Sequence, residues 1–141
     1  MRPLLRIVFA AYLVAVGFVV WSPAPSGGPY AGILAAPARW LAALGLPFEP
    51  SYTVLEVLAN VAMLVPFGVL AMTAFGMRVW STTLAGLATS GLIEGVQLFL
   101  PTRYATVSDL VANTAGALVG ALLVAAVRRR RRLSAAASRP S

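Results

Sequence analysis

Four long apolar stretches constrain this chain more than any other feature. They run from about Leu4 to Trp21, Tyr52 to Phe75, Val79 to Leu100 and Ser108 to Val127. Each is close to the ~20 residues that a helix needs to cross the hydrocarbon of a bilayer. None alternates apolar and polar residues as the strands of a membrane barrel do. Only 11% of the 141 residues are charged and 60% are hydrophobic, whereas a soluble domain would carry roughly 25% charged residues. The expected architecture is an all-α integral membrane protein, a bundle of four transmembrane helices. The chain divides into a first helix (1–21), an extracytoplasmic loop (22–51), a three-helix region (52–127) and a basic, disordered tail (128–141).

The arginines orient it. Lys and Arg are enriched on cytoplasmic flanks. Arg128 to Arg132 follow the fourth stretch, Arg2 and Arg6 lie at the start of the first, and Arg78 sits between the second and third. Four spans with both termini cytoplasmic satisfy all of these. The loops 22–51 and 101–107 are then external, and Arg39 and Arg103 stand there against the rule. The first stretch also has the order of a signal peptide, basic then apolar then small residues at Ser22-Pro23-Ala24. Its length and Trp21, placed like an interfacial anchor, favour an uncleaved helix. Within the outer loop a Pro- and Gly-rich opening precedes Ile33–Leu46, which reads as a short helix on the membrane surface or as irregular loop.

Several function classes drop out. Cys and His are both absent, which excludes disulfides, Cys or His catalysis and Cys/His metal sites. The net charge of +7 falls to +2 without the five arginines 128–132, so no nucleic-acid-binding surface is expected. Those five arginines, just beyond a span, suit anionic lipids instead. Neither a metal nor another cofactor is called for, and self-association of the helices is left open.

The polar residues inside the apolar stretches are few, and the topology gathers them at the outer face. Glu56 and Asn60 share a helix face, being four apart. Glu94 and Gln97 end a polar and small stripe, Thr83-Gly86-Ser90-Glu94-Gln97, with Glu94 about 9 Å below the outer end of its span. Asp109, Asn113, Gly116 and Gly120 form one stripe on the last span, and Ser108 or Asp109 also suits a helix N-cap. Arg103, in the short outer loop, is the cation nearest these groups. Pro66, followed by Phe67-Gly68, should kink the second span because it cannot donate to Ala62. Gly68, Gly116 and Gly120, like the pair Gly91 and Gly95, fit close helix packing. Glu56 is at headgroup level and most simply solvated. A carboxylate within a span, such as Glu94, is costly and usually serves a site.

Glu94-x-x-Gln97, Arg103, and Asp109-x-x-x-Asn113-x-x-Gly116-x-x-x-Gly120, with Asn60 and Pro66-Phe67-Gly68 upstream, resemble the VanZ-like family over about residues 55–123. One position departs: many members carry an acid three residues after the arginine, where this chain has Thr106. The resemblance implies a small multi-pass protein of the bacterial cytoplasmic membrane. The family's namesake is associated with low-level resistance to the lipoglycopeptide teicoplanin, while most members lie outside resistance clusters.

Three functions compete. In the first, favoured here, Asn60, Glu94, Gln97, Arg103, Asp109 and Asn113 bind an anionic head group of a lipid, a lipid-linked envelope precursor or a lipoglycopeptide. In the second, an intramembrane hydrolase or transferase acts on a lipid-linked substrate with Glu94 as acid or base; against it, Ser90 has no His or Lys to activate it. In the third, the same residues are a polar core that fixes helix register without a ligand.

Overall fold

The structure, a computed structural model, describes residues 2–23, 32–101 and 105–137. Five helices follow in order: α1 (Arg2–Trp21), α2 (Ala35–Ala43), α3 (Phe48–Phe75), α4 (Val79–Gln97) and α5 (Val107–Ala137). No strand is present among the described residues.

The helix boundaries follow local chemistry. α3 stops at Gly76, whose φ of 71° is left-handed and whose N–H returns to Met72 O. Glycine adopts that conformation without a Cβ penalty and so terminates helices. α4 restarts at once, the Ser81 hydroxyl accepting the Arg78 N–H at 3.1 Å. α5 is capped by Thr106, whose hydroxyl accepts the Asp109 N–H at 3.0 Å. Pro66 lies inside α3, which stays helical through it. α5 also continues where a disordered tail from residue 128 was expected. Arg, Leu and Ala are strong helix formers, and the helix runs on through Arg128–Arg132 to Ala137.

The bundle is built on the α3–α5 contact. A Cβ at Gly116 would strike Val61 O, one at Gly120 would strike Val65 O, and one at Gly68 would strike Ala117 O. The three glycines therefore let two backbones approach as closely as helices can. Leu64, Phe67, Ala71 and Ala117 are buried beside them. α1 runs antiparallel to α3: Tyr12 donates to Met63 O, and the Phe9 ring lies 5.3 Å from Phe67 and 5.5 Å from Phe75. α4 packs its Gly86 against Ala117, and its Ile93 joins Val16 and Val20 of α1. The Gly91 and Gly95 pair differs from expectation, because no atom lies within 4 Å of a Cβ built at either. A small-residue pair makes approach possible; it does not supply the partner.

Large apolar side chains cover the outside. Val14, Phe18, Trp80, Leu92 and Val111 are each more than 60% exposed. In water so broad an apolar surface would drive association, whereas lipid tails match it. α1, α3 and α5 are each long and apolar enough to cross a membrane. That makes three such helices where four were expected. α4, at 19 residues, is less apolar, since it carries Glu94 and Gln97 and several Ser and Thr, among them Thr82 and Ser90. Thr82, Ser90 and Gln97 are the polar residues it buries against the bundle, while Trp80, Leu84, Leu87 and Leu92 face outward.

α2 docks on the start of α3 through Ala35, Ala38 and Tyr52. It leaves Ile33, Trp40 and Leu44 exposed at 90%, 64% and 63%. Of the two readings of Ile33–Leu46, a short helix or an irregular loop, the structure has a helix over Ala35–Ala43, with its apolar residues divided between the bundle and the surroundings.

Candidate functional site

Antiparallel helices sort the charges to opposite ends. The start of α3, the end of α4 and the start of α5 lie together and carry Glu49, Glu56, Glu94 and Asp109, every acid in the chain. The other end carries Arg2, Arg6, Arg78 and Arg128–Arg132, while Arg39 stands on α2, which docks on the start of α3.

At the acid-bearing end the structure brings together Asn60 and Asp109, across the α3–α5 contact. The Asn60 amide donates to Asp109 Oδ1 at 2.5 Å. Glu94 reaches α5 as well: its Oε2 accepts the Thr106 backbone N–H at 2.8 Å. Gln97 turns the other way and donates to Val20 O at 3.0 Å, tying α4 to the last turn of α1. Asn113, one turn below Asp109, is only 2% exposed, and its Oδ1 is fully buried without a partner among the described residues. Glu56 is exposed, as expected of a solvated carboxylate. Arg103 lies outside the described residues.

Much of the hydrogen-bonding capacity is thus spent on holding helices. One donor each from Asn60 and Gln97 joins two helices, and Glu94 holds the backbone that enters α5. Among the described residues, no other bond is accepted by Glu94 Oε1, Asp109 Oδ2 or Asn113 Oδ1. An ionised carboxylate can accept several bonds through its two oxygens. The remaining capacity is therefore one of acceptors, and such a site takes donors: hydroxyls, amines, guanidinium or a cation. No group of three or more carboxylates suited to a metal occurs among the described residues.

Ser90 is fully buried, and among the described residues its hydroxyl makes one long 3.5 Å contact to Leu110 O. It packs α4 on α5, and nothing beside it would activate a nucleophile.

Some positioning residues escaped the sequence reading. Thr106, rather than Ser108 or Asp109, caps α5 and also presents its N–H to Glu94. The pattern Thr106-x-x-Asp109 is a helix-start signature and was the available signal. Tyr12 and the Val20 carbonyl carried none, since a backbone acceptor on another helix leaves no trace in sequence.

A family model described as VanZ/LLP1 matches residues 9–128. The chain belongs to the VanZ/LLP1 family. The match takes in α1 as well as the three later long helices, in keeping with the Gln97–Val20 bond that joins α1 to the polar end of this VanZ/LLP1 protein. No curated protein and no solved structure matches the chain.

Proposed function

We propose that this VanZ/LLP1 protein is a four-span protein of the bacterial cytoplasmic membrane, with both termini inside, whose acid-bearing end binds a polar head group at the outer face. The ligand class is a lipid, a lipid-linked envelope precursor or a lipoglycopeptide. The observation that carries this is the set of unspent acceptors on Glu94, Asp109 and Asn113, one of them fully buried. Such acceptors suit the hydroxyl and amine donors of a glycosylated head group. Arg103, three residues before Thr106 in sequence, supplies the fork for its anionic group. Membership of the family adds support for an envelope role and for a link to teicoplanin-type resistance.

A fourth crossing by α4 is supported by its division of faces. Nineteen residues extend about 28 Å at helical rise, near the thickness of the hydrocarbon core, and the polar residues of α4 need not meet lipid.

The purely structural alternative has an observation of its own, since Asn60, Glu94, Gln97 and Asp109 all bridge elements. Glu94→Gln and Asp109→Asn separate the two. Each retains an acceptor oxygen for the bond it now makes and removes the charge. The binding role predicts variants that melt like wild type in nanodiscs yet lose affinity for lipid-linked precursor, with Arg103→Ala losing affinity for the anionic group. Full binding by a well-folded Arg103→Ala sinks the proposal. Turnover of the precursor by wild type alone would point to Glu94 as an acid or base.

A further inference from the structure

We infer that a groove at the arginine-rich end, between the α3–α4 turn and α5, binds the head group of an anionic phospholipid. The groove has a volume of about 340 Å³ and is lined by Met72, Gly76, Arg78, Arg128, Arg129 and Arg132, among others. Arg128, Arg129 and Arg132 stand at spacings of one and three, so they share a side of α5. Arg130 and Arg131 are not among the lining residues. The proline-free turn after α3 adds Arg78 from a different element, so the groove is not merely a stretch of basic helix.

Among the described residues no Asp or Glu lies at this end of the bundle. All four of its acids sit at the opposite end of the bundle. Arg128 spends one N–H on Met72 O at 2.7 Å, a carbonyl in the last turn of α3 that also accepts the Gly76 N–H. The remaining guanidinium groups around the groove must find an anion elsewhere, and guanidinium suits phosphate through paired bonds.

Its level in the bundle selects a lipid over a free anion. Close in sequence to its lining residues, the apolar Phe75, Trp80, Leu123 and Val127 are exposed by 48%, 62%, 53% and 50%. Trp favours the membrane–water interface. Acyl chains lying along Leu123 and Val127 would carry their phosphate to the arginines. Basic pockets between transmembrane helices hold anionic head groups in this way.

The test uses the full-length protein in nanodiscs of pure phosphatidylcholine and of equimolar phosphatidylcholine and phosphatidylglycerol. Thermal melting and lipid retention by native mass spectrometry are measured for Arg129→Gln/Arg132→Gln and for Arg130→Gln/Arg131→Gln, which remove equal charge. An arginine at an anionic surface changes binding roughly fivefold, so the first pair should weaken phosphatidylglycerol retention about tenfold or more and lose most of the thermal gain. The second pair should keep both. Equal losses from the two pairs, or no loss from either, overturn the inference. So does inorganic phosphate giving wild type the same gain in pure phosphatidylcholine. Should the first double variant not fold, Arg129→Gln against Arg130→Gln makes the same comparison.

Discussion

The two ends of this bundle handle charge in opposite ways. At the acid-bearing end, carboxylates and amides reach across helices: Asp109 to Asn60, Glu94 to the entry of α5, Gln97 to α1. At the other end eight arginines point out of the bundle, with Arg128 on the Met72 carbonyl and Arg6 over the Phe75 ring at 5.4 Å as the described contacts. The difference is one of desolvation. A polar group within the bundle needs partners fixed by the fold, and only acceptors left over from that task are available to a ligand. A long side chain beyond the hydrocarbon keeps its water or takes lipid phosphate.

The contrast breaks most visibly if the helices at the acid-bearing end are pushed apart. Gly116→Leu forces a side chain into Val61 O and Leu64 and should cost about 3 kcal/mol or abolish folding, read as folded yield in detergent. Gly91→Leu, with open space around it, should leave that yield unchanged. A smaller effect is expected of Asp109→Leu, which strands the Asn60 amide and should cost about 2 kcal/mol in thermal melts, whereas Asp109→Asn stays near wild type. Asn113→Leu should act in the opposite direction. Removing a buried oxygen that has no partner among the described residues should stabilise the apo protein by about 1 kcal/mol while weakening head-group binding. A lower melting temperature for that variant would show that the oxygen has a partner in the working protein. Smallest of all, Arg129→Gln/Arg132→Gln should move stability in neutral detergent by less than about 0.5 kcal/mol, since neither side chain holds two helices together.

The sequence made much of this legible. The apolar stretches located all four long helices, and the step from Gly116 to Gly120 falls on the face of α5 that meets α3. The identical spacing of Gly91 and Gly95 did not, because spacing describes one surface and says nothing about what lies on it. Thr106 stands where the family pattern has an acid, and its hydroxyl caps α5. The run Arg128–Arg132 suggests the start of a disordered tail, but a charge run reports solvent exposure, and the helical backbone of α5 is compatible with it. Arg103, central to the proposed site, lies outside the described residues.

What the sequence determined alone is the chain's apolarity, its long helices and the separation of the acids from the arginine run 128–132, since helix length and the order of charges along an antiparallel bundle follow from counting residues. What only the tertiary structure decided is which polar groups meet. A helical period places Asn60, Asp109 and Asn113 on faces. The approach of α3 to α5 through Gly68, Gly116 and Gly120 decides that Asp109 takes the Asn60 amide and that the Asn113 oxygen is left buried without a partner among the described residues.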